Sequence, residues 1–185
     1  MSSSCGAVCL LVLLGVVFAI GNPIQPNDEE LKNIHESIVN ELDLKKAGIS
    51  QRPLFSPVIN SINTPCQRKE DVQLMNVTLD VYLRIFSNIL EPSNNPETPT
   101  LLAHVPNRSH VEQQLRKLQQ KMEEMKQRLN HQSHHNRDEM IHRLQRIKVD
   151  DPEVQKRALI QFSEIYRVAS VIGRRCGPAH ASSAE

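Results

Sequence analysis

The chain contains no tryptophan, and aromatic residues make up only 3% of its 185 positions. Single-stranded nucleic acid is bound by stacking bases on aromatic platforms, and the composition offers none. Glycine is scarce too, six in all. No glycine-rich phosphate loop, dinucleotide fingerprint or nucleophile motif occurs, and catalysis finds no foothold. No cofactor is implied. Charge of one sign is missing as well: 22 basic and 21 acidic side chains leave +1, too small a field to gather nucleic acid or an acidic membrane surface. The basic residues Arg116, Lys117, Lys121, Lys126, Arg128, Arg143, Arg146 and Lys148 are interleaved with acids and read as a solvated face. Strand patterning is nearly absent. The reading that remains is an all-α protein that works by binding a partner and not by catalysis.

The longest apolar run is Val8 to Ile20, and no charged residue precedes Asp28. A membrane span needs about 20 apolar residues, usually beside a basic cluster. This run is shorter and ends in small residues at Ala19 and Gly21, the form of a secretory leader cleaved after Gly21. We therefore divide the chain into a signal peptide at 1–21, a helical domain at 22–173 and a polar tail at 174–185. The secreted part has about 164 residues, enough for one real core, and no membrane insertion is expected.

Cysteine is sparse. Cys5 and Cys9 leave with the leader, and the remaining pair is Cys66 and Cys176. These could form one intrachain bridge, worth roughly 4–5 kcal/mol in the chain-entropy model. They could equally pair between chains or stay as thiols. Two N-glycosylation sequons become meaningful on the secretory route, Asn76-Val77-Thr78 and Asn107-Arg108-Ser109. Histidines His131, His134, His135 and His142 cluster, but without paired cysteines or an HExxH arrangement they read as a polar junction, not a metal site.

Helical periodicity recurs from end to end. Asn27 with Glu30 forms a capping box ahead of the stripe Leu31, Ile34, Ile38, Val39 and Leu42, and Gly48 is the expected stop. Prolines 53, 57 and 65 leave room only for a short turn around Val58 to Ile62, while Leu54, Phe55, Val58 and Ile59 predict a segment wrapped on the body of the protein. From Cys66 to Leu90 the chain is apolar around most of its circumference, which predicts a central helix. Its polar stripe, Gln73, Asn76, Asp80, Arg84 and Ser87, is expected to face solvent. After a proline-rich connection, Ser109 and Glu112 form a second capping box before Val111, Leu115, Leu118, Met122, Met125 and Leu129. A short helix with Met140, Ile141, Leu144 and Ile147 follows. Asp151 and Pro152 then launch the last helix, with inner face Val154, Ala158, Phe162, Ile165, Ala169 and Ile172, closed by Gly173.

That last helix carries a recognisable pattern. Val154, Gln155, Ala158, Phe162 and Ile165 fit five of the seven specified positions of the interferon gamma signature (Ile/Val-Gln-x-Lys/Gln-Ala-x-x-Glu-Leu/Phe-x-x-Ile/Val), from which Arg157 and Gln161 depart. The stretch from Glu70 to Tyr82 also resembles fish interferon gamma and its related paralogue. The resemblance implies a six-helix type II interferon bundle, intertwined as a homodimer with the last helices of one chain in a cleft of the other. It implies interferon gamma receptor chains as partners and antiviral, macrophage-activating signalling through Janus kinases and STAT factors. The dimer core would contain Ala158, Phe162, Ile165 and Ala169, a face made plausible by a central helix with more apolar surface than one chain should cover. The receptor surface would include the first helix, the following loop from Ile49 to Pro65 with Ser50, Gln51, Arg52, Leu54 and Phe55, and parts of the fourth-helix end and of the tail with Arg174 and Arg175. The family commonly ends in a long basic run, whereas here only Arg174-Arg175 precedes Cys176. That tail sides with the related paralogue and speaks against nuclear import. The rival readings are an interleukin-ten-type helical cytokine and an amphipathic lipid-binding bundle.

Overall fold

The computed structural model describes residues 26–45, 49, 53–62, 69–91, 100–129 and 139–175. The proposed leader, Ser50, Gln51, Arg52, Cys66, Cys176, His131, His134 and His135 lie outside them. Contacts divide the chain into a unit of residues 1–30 and one of residues 31–185. Of the first, only the opening of the first helix is described. The buried core, from Leu31 to Ile172, belongs to the second.

The described residues form six helices: α1 (Pro26–Glu41), α2 (Ser56–Ser61), α3 (Lys69–Leu90), α4 (Arg108–Leu129), α5 (Glu139–Gln145) and α6 (Pro152–Arg175). No strand occurs among them. The all-α expectation is met, and so is the central place of α3, which packs against α2, α4, α5 and α6.

α3 and α4 run antiparallel, and their polar pairs mark the register. Asn76 Nδ2 donates to the Leu129 carbonyl at 3.4 Å, Asp80 pairs with Lys126, and Gln119 Nε2 donates to Ser87 Oγ at 3.4 Å. The polar stripe of α3 therefore runs along the edge of its contact with α4, where spacing alone predicts solvent. Helical spacing gives the width of a polar stripe but not the position of the neighbouring helix. All six residues of the α4 stripe, Val111, Leu115, Leu118, Met122, Met125 and Leu129, are buried as expected. The start of α4 differs. Its first residue is Arg108, Asn107 flanks it, and Glu112 pairs with Arg108 at 2.7 Å in place of the expected Ser109 box.

α1 also departs from expectation at both ends. Pro26 is its first residue, where a fixed φ suits the opening turn, so Asn27 lies within the helix. At the other end α1 stops at Glu41, well before Gly48. Asp43 takes a left-handed conformation, φ 50°. The Asp43 N–H donates to Asn40 O at 3.1 Å and the Leu44 N–H to Val39 O at 2.9 Å, the two bonds of a Schellman closure. Leu44 is fully buried beside the buried Val39, so apolar anchoring turns the chain before the glycine is reached.

α6 behaves oppositely at its end. It runs through Gly173 to Arg175, and a methyl group on Gly173 would meet Met125 Sδ at 3.6 Å and Leu129 Cδ2 at 3.8 Å. Gly173 is a packing position against the end of α4, not the expected stop.

Candidate functional site

The signature segment on α6 makes contacts one after another with almost every other part of the second unit. Asp151 caps the helix: its Oδ1 accepts the Glu153 N–H at 2.8 Å and its carbonyl accepts the Gln155 N–H at 2.9 Å, with Pro152 in the first turn. Gln155, 4% exposed, donates through Nε2 to Val149 O at 3.0 Å and ties α6 to the turn before it. Ala158 is small enough for α3 to approach closely, and its carbonyl accepts the Tyr82 hydroxyl at 3.0 Å. The Leu159 carbonyl meets His35 Nε2 of α1 at 2.7 Å, and Ser163 Oγ meets His35 Nδ1 at 2.8 Å. Gln161 Oε1 accepts the Phe55 N–H at 2.7 Å at the head of α2.

Gln161 departs from the signature, which asks for Glu, and the geometry gives a reason. Its side chain is buried, and a neutral amide oxygen accepts the Phe55 N–H without the desolvation cost of a carboxylate. The residues that carry the resemblance thus clamp the fold: Val154, Gln155, Ala158, Phe162 and Ile165 are all buried.

An aromatic cluster fills the centre of the clamp. Phe55 stacks on Tyr82 at 4.7 Å, Tyr82 and Phe86 each meet Phe162 edge-on at 6.4 and 6.1 Å, and Phe162 stacks on Tyr166 at 5.9 Å. Burial pushes the Tyr82 phenol well above its ordinary pKa, and Glu164 adds to the shift. Tyr82 is thereby a neutral hydrogen-bond donor inside the core.

The expected site residues fall in different settings. Phe55, expected as an aromatic anchor for a receptor, is 0% exposed. Its stack on Tyr82 and its bond to Gln161 place it in the core, so it is not an exposed contact. Leu54 is half-buried and Arg174 exposed, its Nε donating to Ser170 O at 3.3 Å; of Arg175 only its place in α6 is described. Ala158, Phe162, Ile165 and Ala169, the expected dimer face, are each 0% exposed within one chain. In the single chain this face packs against α3. The sequons separate as well. Asn107 is exposed at the head of α4, its carbonyl accepting the Val111 N–H at 3.1 Å. Asn76 is half-buried, with Nδ2 aimed at Leu129 O and Oδ1 shut from solvent with no hydrogen-bond partner among the described residues.

His35 is absent from the residues singled out by sequence, although a signal was there: it lies four residues after Leu31 and three before Ile38, on the apolar stripe of α1. Among the described residues no three His, Cys, Asp or Glu side chains are placed to hold a metal ion, and no helix is long and apolar enough to cross a membrane.

Comparison with known proteins adds one likeness. The chain is 27% identical over 125 residues to interferon gamma 1 of Carassius auratus, a match covering 65% of this chain and 59% of that protein. The chain thus spans about three fifths of its relative's length. No protein-family model matches it, and no solved structure does. Together with the all-helical architecture, the likeness points to an interferon-gamma-like family of cytokines.

Proposed function

We propose that the chain is a secreted interferon-gamma-like cytokine that binds interferon gamma receptor chains on the cell surface and activates Janus kinase and STAT signalling in antiviral and macrophage-activating responses. The observation that carries this reading is the likeness to Carassius interferon gamma 1 over 125 residues. It is supported by the burial of the five signature positions in one clamp. Secretion rests on the leader-like run at 1–21, and the exposed Asn107 is the sequon best placed to carry a glycan. The receptor surface of this reading comprises the outer face of α1, the segment from Ile49 to Pro65 excluding Phe55, and the end of α6 with its tail. Cys66 precedes α3 and Cys176 follows α6.

The direct test is to treat leukocytes of the source species with the secreted protein and measure STAT phosphorylation. Phosphorylation that is lost when the interferon gamma receptor chains are deleted supports the proposal. A correctly folded, glycosylated protein that leaves STAT factors unmodified at saturating dose rejects it.

In an intertwined homodimer the same α3–α6 contacts would form between chains. The second reading is a helical cytokine that acts as a single bundle, in which Ala158, Phe162, Ile165 and Ala169 are buried within one chain. Light scattering distinguishes them, at about 19 kDa for the monomer and twice that for the dimer.

A further inference from the structure

α1 is fastened to α6 through one buried imidazole. His35 is 9% exposed. Its Nε2 lies 2.7 Å from the Leu159 carbonyl, its Nδ1 lies 2.8 Å from the Ser163 hydroxyl, and its ring packs 5.6 Å from Phe162. A carbonyl oxygen only accepts, so Nε2 carries the hydrogen, and Nδ1 of the neutral ring accepts from Ser163. One tautomer therefore satisfies both contacts.

A second proton would make the buried ring a cation. Among the described residues the one charged group that acts on the ring is Glu36, the next residue on α1, which is exposed and faces Lys32 at 3.8 Å. α6 presents to the ring a carbonyl, a hydroxyl and a phenyl ring, and no carboxylate. Its nearby acid, Glu164, is exposed and acts on Tyr82. Ser163 is exposed and can turn a lone pair toward a protonated Nδ1. Protonation is thus opposed by the loss of water around a buried cation, not by the loss of a hydrogen bond.

We propose that His35 is an acid-released pin: the neutral imidazole docks α1 on α6, and protonation in a mildly acidic compartment frees α1 while α3, α4 and α6 stay packed. Burial holds the imidazole below its ordinary pKa of 6.5, against the opposing effects of the Leu159 bond and Glu36. Once α1 is undocked, the ring returns to water and binds its proton more readily. Docking is therefore at full strength above the ordinary value. It weakens as pH falls below it, until the docked ring itself takes the proton. If the receptor engages α1, acid would loosen the complex. That step rests on the function proposed above, whereas the pin itself does not.

The test follows amide hydrogen exchange of α1 and α3 in the secreted chain from about pH 7.5 to about pH 5, corrected for the intrinsic pH dependence of exchange, alongside the His35 ring titration by NMR. Protection of α1 is expected to fall by up to about tenfold per pH unit below about 6.5, with α3 far less affected and α1 in His35→Gln indifferent to pH. An α1 whose protection is unchanged down to about pH 5 overturns the proposal. So does an equal loss in His35→Gln. If that variant does not fold, the native ring decides: titration at or above the ordinary value in the folded chain rejects the pin, and titration below it, in step with α1 opening, supports it. STAT phosphorylation at neutral pH is scored separately. Its absence beside a pH-sensitive α1 would reject the cytokine reading and leave the pin in place.

Discussion

α6 and α1 are both amphipathic helices, but they are held in different ways. On α6, Ala158, Leu159, Phe162, Ile165, Ala169 and Ile172 are all 0% exposed, and side-chain-to-backbone bonds join it to the preceding turn, α2 and α3. Among the described side chains of α1 only Ile38 reaches that degree of burial; Leu31 and Val39 retain 7% and 8%, and the polar link to α6 is His35. The difference teaches that the signature segment is a structural keystone, whereas α1 is a peripheral element whose attachment can vary. Elements that move are drawn from the less firmly held parts of a fold.

The largest effect expected from this contrast is at Ala158. Ala158→Glu would force a carboxylate into the α3–α6 contact with no partner, at a cost of about 3–5 kcal/mol. The variant should fail to give a folded secreted product, or unfold at much lower urea. The same substitution at an exposed position of α1, Asn33→Glu, serves as the control. If the two variants unfold together near the parent midpoint, α6 is not the keystone described.

Gln161→Ala should have an intermediate effect. It strips the Phe55 N–H of its partner inside the core, for which about 1–3 kcal/mol is expected. Denaturant midpoints would measure the loss, and proteolysis within residues 53–62 should accelerate. Unaltered midpoints and cleavage would mean that α2 is held by the stack of Phe55 on Tyr82 alone.

The smallest effect has the opposite sign. Asp43→Gly relieves a left-handed residue at the end of α1 and should stabilise that helix by a few tenths to about 1 kcal/mol, offset in part by the freedom glycine gains in the unfolded chain. The expected readout is slower amide exchange in α1 with α3 unchanged. Faster exchange would mean that the aspartate side chain contributes more to the closure than its backbone strain costs.

The elements that were legible in the sequence are those whose pattern is local. The α4 stripe from Val111 to Leu129, the inner face of α6 and the Asp151-Pro152 start follow from periodicity and capping alone. What was not legible depends on the neighbour. Gln73 to Ser87 is a polar stripe by spacing, yet whether it meets water or the rim of α4 is decided by the direction from which α4 approaches. Phe55 lies in a proline-broken segment with no period, so nothing local distinguishes an exposed anchor from a core residue stacked on Tyr82. The surplus apolar surface of α3 does need cover, but a hydrophobic pattern does not say which chain supplies it. At α1, glycine preference pointed to Gly48, while burial of Leu44 drew the turn to Asp43.

The aromatic cluster makes the protein optically simple. Outside positions 1–21 the aromatic residues are Phe55, Tyr82, Phe86, Phe162 and Tyr166, and every one takes part in the cluster between α2, α3 and α6. With no tryptophan, the aromatic bands in the near-ultraviolet circular dichroism of residues 22–185 report on that single locus. Loss of the band while the far-ultraviolet helical signal persists would mean that α6 has parted from α3. Departure of α1 would leave the band nearly untouched, because that helix contributes only an imidazole to the packing around Phe162. Two spectral regions therefore separate the opening of the clamp from the release of its outermost helix.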